Sequence, residues 1–112
     1  LGAKAQADQA LDAFIKAQKP ADTPEWPGKI AAFLLDRTTE ADLLATAKAS
    51  EASVRNGNLC EAWYYAGKKR LIAGDRRTAA DYFAKCLATE EKQFSEYQTA
   101  QIELQALKTD PQ

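Results

Sequence analysis

Alanine makes up about a fifth of this 112-residue chain, which has only one valine and four isoleucines. Alanine is the strongest helix former, whereas Val and Ile, which favour strands, are scarce here. A chain of 112 residues can bury one hydrophobic core but is too short for two independent ones. The composition therefore predicts a single all-α domain that spans residues 1–112.

Apolar spacing and helix-breaking residues divide the chain into six predicted helices. Within these segments apolar residues recur three and four positions apart, which is typical of amphipathic helices. Asn56-Gly57-Asn58 is expected to end the third helix and Gly74-Asp75 the fourth, because Gly and Asn tolerate the left-handed conformation that closes helices. The predicted helices cover approximately residues 3–18, 27–37, 39–52, 59–73, 78–87 and 94–108.

Charge and composition exclude several function classes. Fifteen Lys and Arg oppose 16 Asp and Glu, which leaves a formal net charge of −1 and no overall field to attract nucleic acid. No apolar run approaches the ~20 residues that a membrane span needs. The chain lacks histidine, the commonest metal ligand, and its two cysteines cannot form a zinc site alone. We therefore expect no nucleic acid, no membrane span within this sequence, no metal and no cofactor.

Catalysis is not expected either. Ser50, Ser53 and Ser95 have no histidine to activate them, and Cys86 falls on the inward face of a predicted helix. The sequence therefore predicts a protein that is not an enzyme.

Six residues within 60–93 have a spacing that is more specific than helix periodicity. A large residue is followed four positions later by Gly, then by a Gly at a turn, and then by Ala, Phe and a small residue. These positions are Trp63, Gly67, Gly74, Ala79, Phe83 and Cys86. The pattern resembles the tetratricopeptide (TPR) repeat, although Arg70 and Glu91 stand where the family has Tyr and Pro.

Each residue of this pattern has a physical role in a helical hairpin. Gly67 is expected to let the second helix approach closely, with the small Ala79 facing it. Gly74 is expected to supply the turn, and Phe83 to fill the core beneath Trp63. Both aromatic residues are therefore predicted to be buried.

A period of 34 residues extends the resemblance beyond this hairpin. Moving forward by one period aligns Trp63 with Tyr97, and moving back aligns Ala79 with Ala45. The predicted domain then comprises a degenerate hairpin (26–55), a strong repeat (60–93) and a terminal helix (94–108). The predicted fold is a short, right-handed TPR-like solenoid of stacked antiparallel hairpins.

The run from Cys60 to Gly67, together with Phe94-Ser95-Glu96-Tyr97, is similar to bacterial envelope TPR proteins of the outer-membrane lipoprotein type. The resemblance covers roughly residues 24–107 and implies a scaffold that docks other proteins. It implies a periplasmic or outer-membrane-anchored location in bacteria, while a cytoplasmic one stays open. Because the sequence has no Met, we expect it to be a fragment of a longer chain.

The resemblance also implies a binding surface. In TPR proteins the first helix of each hairpin lines a concave face on which a partner peptide or helix lies. The positions carried over to this chain are Glu61, Tyr64, Lys68, Leu71, Ser95, Gln98 and Ile102. Tyr64 and Tyr65 are the expected main contacts, with the alternative that one of them packs between hairpins. The predicted function is a non-catalytic protein-interaction scaffold, and the alternative is a homodimerisation module.

The two cysteines allow two interpretations. Antiparallel pairing of the helices brings Cys60 and Cys86 to the same end of the hairpin, about 22 Å and about 17 Å from the turn at ~1.5 Å per residue. A disulfide between them would indicate an oxidising compartment. In the other interpretation they are free thiols, with Cys86 a small core residue.

Overall fold

The computed structural model describes residues 26–109, which form five α-helices and no strand. The helices are α1 (Trp26–Leu34), α2 (Glu40–Lys48), α3 (Ala52–Ile72), α4 (Arg76–Ala88) and α5 (Ser95–Thr109). The prediction of an all-α protein is confirmed for this part of the chain. The predicted helix over 3–18 lies outside the described residues.

Short polar caps and one turn glycine set the helix boundaries. Thr39 Oγ1 accepts a hydrogen bond from the Asp42 amide at 3.1 Å, which caps α2. The Asp75 carboxylate accepts one from the Thr78 amide at 3.2 Å and caps α4. Between α3 and α4, Gly74 has a φ of 88°, which side-chain-bearing residues rarely adopt. The predicted stop at Gly74-Asp75 is therefore confirmed.

The predicted stop at Asn56-Gly57-Asn58 is wrong, because α3 runs through it without interruption. A Cβ at Gly57 would lie 2.9 Å from Phe94 Cζ, so the ring of Phe94 packs closely on this glycine. Asn58 Nδ2 donates to Ser50 Oγ at 2.9 Å and ties the helix to the turn before it. These tertiary contacts outweigh the ~1 kcal/mol that a glycine costs within a helix.

Two core clusters lie on either side of α3. The first packs α1 and α2 against α3 and contains Ile30, Phe33, Leu43, Ala47, Ala62 and Ala66. The second packs α4 and α5 against α3 and contains Cys60, Ala79, Phe83, Cys86, Ala100 and Leu104. The long helix α3 thus contributes to both clusters and is the element on which the other four are assembled.

The α3–α4 hairpin differs in detail from the expected one. Phe83 is fully buried, as predicted, but its ring lies against Gly67 where Ala79 was expected to face that glycine. Trp63 was expected in the core and is only half-buried. Its ring centroid lies 5.0 Å from that of Tyr82, and Lys85 Nζ lies 4.7 Å from it. Trp63 therefore packs against Tyr82 and Lys85 near the surface and not in the core.

Within residues 26–109, no helix combines the length and the hydropathy needed to cross a bilayer.

Candidate functional site

Five residues of α3 lie along one side of the helix and form a continuous surface, which we call the α3 stripe. They are Val54, Glu61, Tyr65, Lys68 and Ile72. Their intervals of seven, four, three and four residues keep them on one face. At ~1.5 Å per residue the stripe is about 27 Å long. Val54 and Ile72 stand near its two ends and are 50% and 43% exposed.

The helices α1 and α5 border the α3 stripe and bond to its middle. Trp26 Nε1 on α1 donates to Glu61 Oε1 at 3.0 Å. On the other side, the Tyr65 hydroxyl donates to Glu96 Oε2 of α5 at 3.1 Å. These bonds hold both stripe residues half-buried, so their side chains have defined positions before any partner arrives.

A third contact on this face is an ion pair. Lys68 Nζ lies 2.6 Å from Glu103 Oε2, and the side chains of the two residues are 17% and 23% exposed. The bond joins the α3 stripe to α5 farther along both helices. The stripe is therefore anchored to α5 by a hydrogen bond from the Tyr65 phenol to a carboxylate and by an ion pair at Lys68.

Electrostatics on this face favour a protonated carboxyl at Glu61. Burial raises the pKa of Glu61 to about 7, opposed by the hydrogen bond from Trp26 and reinforced by the nearby charge of Glu96. Burial also raises the pKa of Tyr65, with further contributions from Glu96. The Tyr65 phenol therefore stays a hydrogen-bond donor throughout the physiological range.

The structure separates the residues predicted from the sequence into three groups. Glu61 and Lys68 lie on the α3 stripe. Tyr64 and Leu71 pack against the second core cluster, where the Tyr64 ring centroid is 6.0 Å from that of Phe83. The α5 residues of the set, Ser95, Gln98 and Ile102, are exposed. Whether any of them contacts a partner stays a prediction.

Four residues of this face were not singled out from the sequence: Val54, Ile72, Glu96 and Glu103. The series 60, 64, 67, 71 and the series 61, 65, 68, 72 have the same helical spacing, so periodicity alone cannot tell which faces outward. The burial of Cys60 and Gly67 decides it, because these residues turn their side of α3 toward α4.

The thiols of Cys60 and Cys86 lie in the second core cluster, between α3 and α4. Their sulfur atoms are 3.5 Å apart, and both side chains are free and fully buried. Cys86 Sγ also lies 3.9 Å from the backbone carbonyl oxygen of Glu96. Among residues 26–109, no three Cys, Asp or Glu side chains come together as a metal ion would require.

No protein-family model matches the chain, and no curated protein or solved structure is significantly similar to it.

Proposed function

We propose that this chain is a non-catalytic protein-interaction scaffold whose partner, a peptide or helix of another protein, lies along the α3 stripe. The observation that carries the proposal is the exposure of Val54 and Ile72 near the two ends of one helical face. Both side chains offer apolar surface that a partner can remove from water.

The half-buried middle of the stripe supports the same proposal. Tyr65 offers a large contact surface, and its bond to Glu96 reduces the conformational entropy that binding would cost. Glu61 and Lys68 are held in the same way by Trp26 and Glu103. A partner thus meets a preorganised polar centre between two apolar contacts about 27 Å apart, a length that an ~18-residue helix can follow.

We also propose that the described helices are a TPR-like array. The support is the α3–α4 hairpin, in which Phe83 packs on Gly67 and Gly74 forms the turn. In such an array α1, α3 and α5 are the first helices of successive hairpins, and the α3 stripe belongs to the layer that binds partners. The partner that we propose is an envelope protein, and the support is the resemblance of the 60–67 segment to bacterial envelope scaffolds.

Site-specific photocrosslinking tests the proposed surface. A benzophenone amino acid is introduced at Val54, at Ile72 and, as a control on the opposite layer, at Asp81 of α4, whose side chain is 62% exposed. Each variant is irradiated in an extract of the cells that produce the protein. We expect one and the same partner to be crosslinked from 54 and 72, with little product from 81.

A second step uses the purified partner and the substitution Ile72→Glu. We expect at least tenfold weaker binding and an unchanged melting temperature, because the side chain is already partly in water. Equal crosslinking from Asp81, or unchanged affinity of Ile72→Glu, would contradict the proposal. A crosslink from 72 to a second copy of this chain, with a dimer in sedimentation velocity, would replace it with homodimerisation.

A further inference from the structure

The folded chain brings its only two thiols together in a closed pocket. Cys60 on α3 and Cys86 on α4 are each 0% exposed, and their sulfur atoms are 3.5 Å apart. A disulfide needs an S–S distance of about 2.05 Å, so the two sulfurs must approach by about 1.5 Å.

The surroundings of the pair favour Cys60 as the thiol that is oxidised first and Cys86 as the thiol that then forms the disulfide with it. The neighbouring Cys86 thiol lowers the pKa of the Cys60 thiol, an effect that burial opposes and the Thr89 hydroxyl reinforces. The same interaction raises the pKa of Cys86, which burial raises further. Cys60 thus loses its proton more easily than Cys86. Cys86 stays protonated and is close enough to Cys60 to attack it once Cys60 is oxidised.

We propose that Cys60 and Cys86 form a peroxide-oxidisable thiol pair that closes to a disulfide within the folded domain. The Cys60 thiolate attacks hydrogen peroxide, the O–O bond breaks, and Cys60 becomes a sulfenic acid while the other oxygen leaves as water after taking up a proton. Cys86 then attacks the Cys60 sulfur, the S–S bond forms, the S–O bond breaks, and the Cys86 proton leaves with the hydroxyl group as a second water. Overall, two thiols and one peroxide give one disulfide and two waters.

The burial of both sulfur atoms favours a small oxidant. A mixed disulfide with a peptide thiol would have to fit into a pocket whose walls leave neither sulfur exposed. Hydrogen peroxide has two heavy atoms and needs a much smaller local opening. The same walls hold Cys86 next to the sulfenic acid, so closure competes well with further oxidation of Cys60.

The disulfide would join α3 to α4 at the end of the hairpin opposite Gly74. Its closed loop of about 26 residues is expected to lower the equilibrium constant for unfolding about a hundredfold. It would also remove the Cys86 S–H group from the Glu96 carbonyl at the start of α5. This inference does not depend on the proposed binding function, because its readouts are chemical and thermodynamic.

Intact-mass measurement on the wild-type protein tests the proposal. The reduced, folded protein is treated with millimolar hydrogen peroxide, quenched with catalase, and unfolded in the presence of N-ethylmaleimide. We expect a species that has lost two hydrogens and carries no maleimide, that a phosphine converts back to two alkylated thiols, and that unfolds at a higher urea concentration. Two alkylated thiols after peroxide, or two oxygen atoms added to one cysteine, would overturn the proposal.

The single substitution Cys86→Ala supplies the matched control, since Ala is the usual small residue at this position of the repeat. Without the resolving thiol, we expect Cys60 to remain a sulfenic acid that dimedone traps, and to gain further oxygen on longer exposure. If Cys86→Ala gives the same product as the wild type, the second thiol has no role and the proposal fails.

Discussion

The ring of Phe83 occupies the space that a side chain at residue 67 would need, because a Cβ on Gly67 would lie 2.7 Å from Phe83 Cε1. This distance is shorter than the contacts that real Cβ atoms make, and Phe83 is itself fully buried. The α3–α4 interface is therefore as close as the backbone of α3 allows. Gly67 is required here for the space that it leaves free.

Gly67→Ala is expected to destabilise the protein by about 1–3 kcal/mol, because overpacking exceeds the ~1 kcal/mol that alanine gains in helix propensity. Urea unfolding measures the change. In a Phe83→Leu background the same substitution should cost less, and the double-mutant cycle should show a coupling of about 1 kcal/mol or more.

Gly57→Ala is the matched control for this prediction, since both glycines lie within α3. The atom nearest to its Cβ would be the tip of the half-buried Phe94 ring, which can turn aside. We expect a change within about 1 kcal/mol of zero, because the propensity gain offsets the adjustment. Equal destabilisation at 57 and 67 would show that space at Phe83 is not the deciding factor.

Gly74→Ala should destabilise the protein by about 1–2 kcal/mol through backbone strain alone. The φ of Gly74 is 88°, and a Cβ there would meet no atom within 4 Å, so steric crowding does not contribute. Gly74→Asn should cost clearly less, because asparagine tolerates the left-handed region. Thermal unfolding of the two variants makes the comparison, and an equal loss for both would argue against strain at φ as the cause.

Stability should fall as the pH rises from about 4.5 to about 7 because of Glu61. Its folded-state pKa is about 7 against 4.5 in the unfolded chain, so the folded state holds a proton that the unfolded state has already released. After allowance for solvent screening, the loss is about 1–2 kcal/mol, complete just above pH 7. Urea unfolding at a series of pH values measures it.

Glu61→Gln removes this titration while keeping an oxygen that accepts the Trp26 hydrogen bond. We expect the variant to match the wild type near pH 4.5 and to exceed its stability at pH 8. Glu51→Gln, at an exposed position without a cap bond, is the control and should keep the wild-type profile. Parallel profiles for Glu61→Gln and the wild type would mean that Glu61 is not the responsible group.

Glu40 should have the opposite pH dependence. Partial burial raises its pKa, but hydrogen bonds from Arg70 and Tyr82 outweigh this and lower the pKa overall. The stability that the ionised carboxylate provides is present above about pH 4.5 and is lost as the pH falls through the lowered pKa. Glu40→Gln should therefore be less stable than the wild type at pH 7, with the difference shrinking in acid.

Tyr82→Phe separates the two bonds to Glu40. It removes the 2.6 Å hydrogen bond from the Tyr82 hydroxyl and leaves the Arg70 pair in place. The expected cost is about 1 kcal/mol at pH 7. A Tyr82→Phe variant as stable as the wild type would show that the Arg70 pair is sufficient to hold the Glu40 carboxylate.

Local signals gave the all-α class and the turn at Gly74 correctly, but they put the break between α2 and α3 at residues 56–58, whereas it lies at 49–51. The alanine content and apolar spacing were sufficient for the all-α prediction, and the turn at Gly74 depends only on its own backbone conformation. The predicted break at Gly57 failed because Phe94, far along the chain, packs on that glycine and favours a continuous helix. A contact of this kind has no signature within a helical window.

The residues of the α3 stripe were also only partly predictable, because tertiary packing decides which side of α3 faces outward. Of the α3 residues that sequence spacing selected, Glu61 and Lys68 lie on the α3 stripe, whereas Tyr64 and Leu71 pack against the second core cluster. The angular position of a helix is set by which neighbours it packs against, and α5 covers one side of α3 here. Tyr64 packs against the second core cluster, whereas Tyr65 packs against the first and donates a hydrogen bond to Glu96.

The contribution of α3 to both core clusters has a consequence for how the protein unfolds. In an ideal repeat array, neighbouring units can melt almost separately. Here one 21-residue helix supplies residues to both core clusters, so losing either cluster exposes one side of the same helix. Amide hydrogen exchange should therefore be slowest and most uniform along α3. The pairs α1–α2 and α4–α5 should unfold locally on either side of it and exchange faster.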